Sequence, residues 1–164
     1  MRTQSSPSFQ APLGPSVFEA LDRARTSLAE ARMAELATER YSAAHVAALR
    51  TAAAVLAART GPTVRRGRRD AWTLLARVAP ELAEWAAFFA AGAGKRAAAE
   101  AGLPRAVTDR DADDLIRDVE RFIAVVEAML ELPHQPSLPH QSDPADGDRL
   151  SRAGLRVHGP GAAA

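Results

Sequence analysis

Glu39-Arg40-Tyr41-Ser42-Ala43-Ala44-His45-Val46-Ala47-Ala48-Leu49-Arg50, running on through Thr51 to Arg59, is the stretch whose reading decides the fold. It contains no glycine or proline and is dominated by alanine, the best helix former. Tyr41, His45, Ala48, Ala52, Val55 and Leu56 recur at helical spacing on one face, while Arg40, Arg50 and Arg59 lie away from it. Gly61-Pro62 then stops the helix.

On the N-terminal side, Ser16 reads as an N-cap, with Glu19 three residues on completing a capping box. Val17, Leu21, Ala24, Leu28 and Ala31 carry a first helix to about Ala34, and Thr38 marks the break before the second. On the C-terminal side, Trp72, Leu75, Ala76 and Ala79 line a third helix that opens near Asp70. Pro80 kinks or restarts it, and Leu82, Trp85, Ala86 and Phe89 continue the stripe to Gly92. A short helix spans Lys95 to Ala101. Thr108 caps the last long one, whose stripe runs from Ala112 through Leu115, Val119, Phe122 and Val126 to Leu130. Pro133 ends it.

These helices bury their stripes most simply as an all-α, four- to five-helix antiparallel bundle over residues 16–132. The segments 1–15 and 133–164, rich in Pro, Ser, Gln, Gly and His, read as disordered. A chain that is 47% hydrophobic but only 5% aromatic builds its core from Ala, Leu and Val. With no cysteine, disulfides, thiol redox chemistry and cysteine zinc sites are excluded, and a reducing cytoplasmic setting fits. No signal-peptide pattern opens the sequence. The longest apolar run, Trp85 to Gly94, falls short of the roughly 20 residues a membrane span needs.

The net charge of +1 hides a division: residues 62–105 hold eight basic and four acidic side chains, residues 106–132 three basic and eight acidic. Such halves attract each other within one molecule or between two copies. Arg65, Arg66, Arg68 and Arg69, gathered around Gly67, form the best phosphate-contacting feature, though no aromatic residue interleaves them for base stacking. Asp109, Asp111, Asp113 and Asp114 sit at a helix start, where they complement the dipole. They lack the ligand spacing of a calcium loop, so no metal and no cofactor are expected. Gly92-Ala93-Gly94-Lys95 lacks the strand that precedes a phosphate loop. His45, the one histidine outside the C-terminal segment, reads as a buried side chain bonded to an oxygen or as a proton-transfer group.

Three segments together resemble the HEPN superfamily, most of all its actinobacterial SAV_6107-like branch. They are residues 39–45, Arg66-Gly67-Arg68-Arg69-Asp70-Ala71-Trp72, and Val78-Ala79-Pro80-Glu81-Leu82-Ala83-Glu84-Trp85-Ala86; the helix opening at Ala106-Val107-Thr108 completes the pattern. The resemblance covers roughly residues 16–131. It implies a helical bundle that commonly dimerises, and a metal-independent endoribonuclease activity found in many HEPN domains. There a histidine takes the proton of a ribose 2′-hydroxyl and an arginine stabilises the charge on the phosphate. Arg40 and His45, with four residues between them, fit that motif's spacing. Hence an RNA-associated protein is expected, with Arg40 and His45 for chemistry and Arg65, Arg66, Arg68 and Arg69 for phosphate. The alternative is a non-catalytic module that binds a protein partner or a second copy. The surfaces expected for a homodimer are the alanine-rich faces of the second helix and the outer side of Trp85 to Phe89.

Overall fold

A computed structural model describes residues 12–60, 71–103 and 105–132. Among the described residues six α-helices follow one another: α1 (Pro15–Met33), α2 (Ala37–Thr60), α3 (Ala71–Val78), α4 (Ala83–Ala91), α5 (Ala93–Glu100) and α6 (Asp109–Met129). A single 3₁₀ turn, Pro80–Leu82, joins α3 to α4, and the described residues contain no strand. The expected disorder of residues 1–11 and 133–164 lies outside the described residues. Residues 12–14, assigned above to the N-terminal arm, lead directly into α1, and Leu13 packs against the core.

Helix α1 starts one residue before the anticipated cap. Pro15 occupies the first turn, where its fixed φ suits a helix and its missing N–H costs nothing, and Gly14 is the N-cap. Ser16 is therefore inside the helix and makes no cap. The break between α1 and α2 is real: Ala34 turns into extended backbone at ψ 139°, and α2 begins at Ala37, so Thr38 too is helical. At α6 the expectation holds in detail. Thr108 Oγ1 accepts from the Asp111 N–H at 3.1 Å, while the Asp111 carboxylate accepts from the Thr108 N–H at 3.0 Å.

The apolar stretch after residue 70 yields three helices because it is interrupted twice. Ala79 leaves helical backbone at φ −134°, and Pro80 opens the 3₁₀ turn. Gly92 then separates α4 from α5. A Cβ at Gly92 would stand 3.0 Å from the Tyr41 hydroxyl, so the absent side chain lets α2 approach this junction.

Helix α2 is the central element. Ala44, Ala47, Ala48, Ala52, Ala54, Val55 and Leu56 are all sealed from solvent. It runs antiparallel to α1, where Arg50 donates to the Arg23 carbonyl at 3.0 Å and to Ser27 Oγ. It lies in the same sense as α6, for Arg40 reaches Asp109 at one end and Arg59 reaches Met129 at the other. By length and composition α2 could cross a membrane, but 56% of its most apolar window is buried within the bundle. That burial corrects one expectation. The alanine faces of α2 are spent inside the molecule and cannot serve as a dimer surface.

The second centre of the core is aromatic. Phe89 lies 5.1 Å from Trp72, 5.9 Å from Trp85 and 5.1 Å from Phe122, ring centre to ring centre, and so ties α3, α4 and α6 together. Its neighbour Phe88 is 47% exposed. Truncating Phe89 to alanine is expected to cost about 3–5 kcal/mol of unfolding free energy, and Phe88→Ala under about 1 kcal/mol. Urea titration followed by circular dichroism measures both; equal losses would contradict this packing.

Candidate functional site

Arg40 lies in the first turn of α2 and faces the start of α6. Its guanidinium pairs with Asp109 at 3.3 Å and, more closely, with Asp113. His45 lies five residues on, which rotates its side chain by roughly 140° about the helix axis. It faces α3 and α4 instead, with Trp72 and Phe89 meeting its ring edge-on at 6.1 and 6.2 Å. Within one chain the two residues of the expected motif are thus directed to different elements.

The imidazole is 1% exposed. Its Nε2 lies 3.0 Å from the Phe89 carbonyl oxygen, which can only accept, so Nε2 carries the proton. Nδ1 is then the bare acceptor; it is sealed from solvent and has no hydrogen-bond partner. Burial is the main force that lowers the His45 pKa below its ordinary 6.5, and the nearby Arg96 guanidinium lowers it further, against the opposing effect of the Phe89 carbonyl. His45 is neutral at physiological pH.

Sequence reasoning missed the residues of α5 that surround this histidine. Arg96 is only 9% exposed, and its Nε and Nη2 both donate to Glu100, at 2.9 and 2.7 Å. The i, i+4 spacing of Arg96 and Glu100 was the available signal, but nothing in it pointed towards α2. Together with His45, Trp72 and Leu49 they line a cleft of about 400 Å³. The histidine contributes carbon surface there, because one nitrogen is occupied by Phe89 and the other is buried.

One turn before His45, Tyr41 is buried beside Lys95 and Asp111, and desolvation raises its hydroxyl pKa. Asp111 accepts from the Thr108 N–H, from Lys95 Nζ at 2.9 Å and from Thr108 Oγ1 at 2.8 Å, which holds its carboxyl down at about 2. The four aspartates that open α6 are engaged in pairs: Asp109 and Asp113 with Arg40, Asp111 with Lys95, Asp114 with Arg110 and Arg117. Among the described residues no three His, Asp or Glu side chains are grouped to hold a metal ion. Gly92 and Gly94 flank or enter α5, and Lys95 is committed to Asp111, so this segment is helix. Arg65, Arg66, Arg68 and Arg69 lie outside the described residues, directly before α3 in sequence.

The fold defines the class as an all-α helical bundle. A family model described as HEPN_SAV_6107-like HEPN matches residues 31–127, and the chain belongs to that family. The match begins near the end of α1 and covers α2 to α6 almost entirely. No curated protein and no solved structure matches the chain.

The His45 geometry has a pH consequence. Because the folded-state pKa is depressed, the unfolded chain takes up a proton first as pH falls below 6.5, and stability drops from there towards the folded-state value. His45→Gln retains a donor for Phe89 but does not titrate. Urea midpoints measured from pH 8 to 5 should fall less steeply in the variant than in the parent; identical slopes would mean that His45 is not held neutral by burial.

Proposed function

We propose that this HEPN domain works by binding RNA without cutting it. The observation that carries the reading is the state of His45. A general base must present a free nitrogen within hydrogen-bond reach of the 2′-hydroxyl. His45 Nε2 is protonated and engaged by Phe89, Nδ1 is enclosed, and Arg40 is neutralised by Asp109 and Asp113. Neither half of the motif meets its chemical role in this conformation.

RNA association rests on the membership of the family and on Arg65, Arg66, Arg68 and Arg69, four guanidinium groups within five residues. Arginine forks pair bidentately with phosphate oxygens, and each engaged phosphate releases condensed counterions. Without interleaved aromatics the contact would follow the backbone with little sequence preference. Cleavage by Arg40 and His45 is the competing reading; it would require α4 to withdraw from His45 or a second chain to complete the site.

The test uses purified full-length chain and a mixed-sequence single-stranded RNA in chelator. Binding is expected without cleavage. It should weaken with salt, and replacing the four arginines with glutamine should reduce the log–log salt slope by up to about 3. Chelator-resistant cleavage that disappears in a folded His45→Gln protein would establish the nuclease instead. Absence of any RNA binding would leave the chain a protein-interaction module.

A further inference from the structure

The cleft beside His45 has a wall and a rim of different chemistry. Its wall is apolar: Trp72 of α3, Leu49 of α2, and Ala90, Ala93 and Ala97 around the α4–α5 junction. The small side chains on α4 and α5 leave about 400 Å³ open, which is within the range of small-molecule sites. His45, committed through Nε2 to the Phe89 carbonyl, adds the carbon edge of its ring to this wall.

The rim holds one ion pair, and its two members are unequally placed. The Arg96 side chain is 11% exposed, whereas that of Glu100 is 46% exposed. Arg96 Nε and Nη2 converge on a single oxygen of Glu100, Oε1, at 2.9 and 2.7 Å. That is half of a fork–fork contact. A carboxylate set edge-on to the guanidinium would offer one oxygen to each donor and make two parallel bonds. Glu100 reaches Arg96 from the next turn of the same helix, and an i, i+4 pair of this kind is weak.

This unequal burial decides the sign of charge that the cleft will take. An incoming cation would have to draw Glu100 away from Arg96 and leave a buried guanidinium without its counter-charge, which is costly. An incoming anion takes the place of Glu100 on the guanidinium, and the released carboxylate, already nearly half exposed, turns into water. We infer that the cleft is a binding site for a small apolar monocarboxylate, an aromatic or branched aliphatic acid. Its carboxylate sits on the Arg96 fork in place of Glu100, and its body lies against Trp72, Leu49 and the three alanines. Glu100 is then an internal stand-in that satisfies Arg96 when no ligand is bound. This inference goes beyond the RNA reading and does not depend on it, since its test contains no RNA and leaves Arg65, Arg66, Arg68 and Arg69 unchanged.

The test titrates 3-phenylpropionate, and separately its uncharged amide, 3-phenylpropanamide, into the full chain at neutral pH to about 10 mM. Backbone amide and arginine Nε–H signals are followed by nitrogen–proton NMR. The acid should shift the Arg96 Nε–H signal and the backbone amides of α5 saturably, and 3-phenylpropanamide should bind about tenfold or more weakly. Glu100→Gln removes the internal competitor and its repulsion, so the acid should bind about threefold or more tightly, the opposite of what a cation site would show. Ala97→Phe, at an exposed position of α5, fills the cleft and should abolish the shifts with helical content retained. A parent that binds neither compound, or binds the acid no better than the amide, would overturn the inference. So would a Glu100→Gln protein whose affinity for the acid is unchanged or weaker, or shifts that persist in folded Ala97→Phe.

Discussion

Everything in this bundle is arranged around a helix that must bury most of its circumference. Helix α2 meets α1, α3, α5 and α6, and it can do so because its inward positions are chiefly alanine, which lets backbones come close. Polar groups drawn in with it have to be satisfied locally. Thr51 Oγ1 donates to the Ala47 carbonyl at 2.9 Å, and Ser27 accepts from Arg50. His45 has the same problem and solves half of it by donating to Phe89. Its environment follows from the packing of α2 before any question of chemistry arises.

The parts legible in the sequence were those with one strong cause each. The α6 stripe from Ala112 to Val126 is fully inside, and the Thr108 cap has its reciprocal partner in Asp111. Burial of Tyr41 and His45 on a shared face followed from their spacing of one turn. Where two causes competed, the reading failed. Ser16 and Pro15 both signal a helix start, and proline's rigid φ decided it. An alanine-rich surface suits a second copy as well as a neighbouring helix, and composition alone does not say which takes it. The candidate site shows the same limit. The spacing of Arg40 and His45 was visible, but their orientation depends on α6 and α4, whose positions are set by contacts about 70 and 44 residues away in sequence.

Of the expected attraction between the basic middle of the chain and its acidic last helix, the described residues hold one part, since Arg65, Arg66, Arg68 and Arg69 lie outside them. Among the described residues Lys95 is the middle segment's ion pair with α6, while Arg25, Arg32 and Arg40 of the first two helices supply the rest. Glu127, fully buried and paired with Arg25, is the deepest of these links, and such a pair fixes which face of α6 turns inward more than it adds stability.

On the reading proposed above, family membership and catalytic competence separate in this chain along physical lines. The family match over residues 31–127 places it among HEPN domains. Catalysis asks for more: a histidine nitrogen that can exchange protons with substrate, and an arginine free to meet developing negative charge. To provide the first, the Phe89 carbonyl would have to lose its donor and the Trp72–Phe89–Phe122 cluster would have to open, which exposes buried aromatic surface. To provide the second, Asp109 and Asp113 would have to give up their counter-charge at the start of α6. Both changes act against the contacts that fold the bundle, whereas binding a polyanion requires neither of them. That difference in cost is why the binding reading is the more economical one.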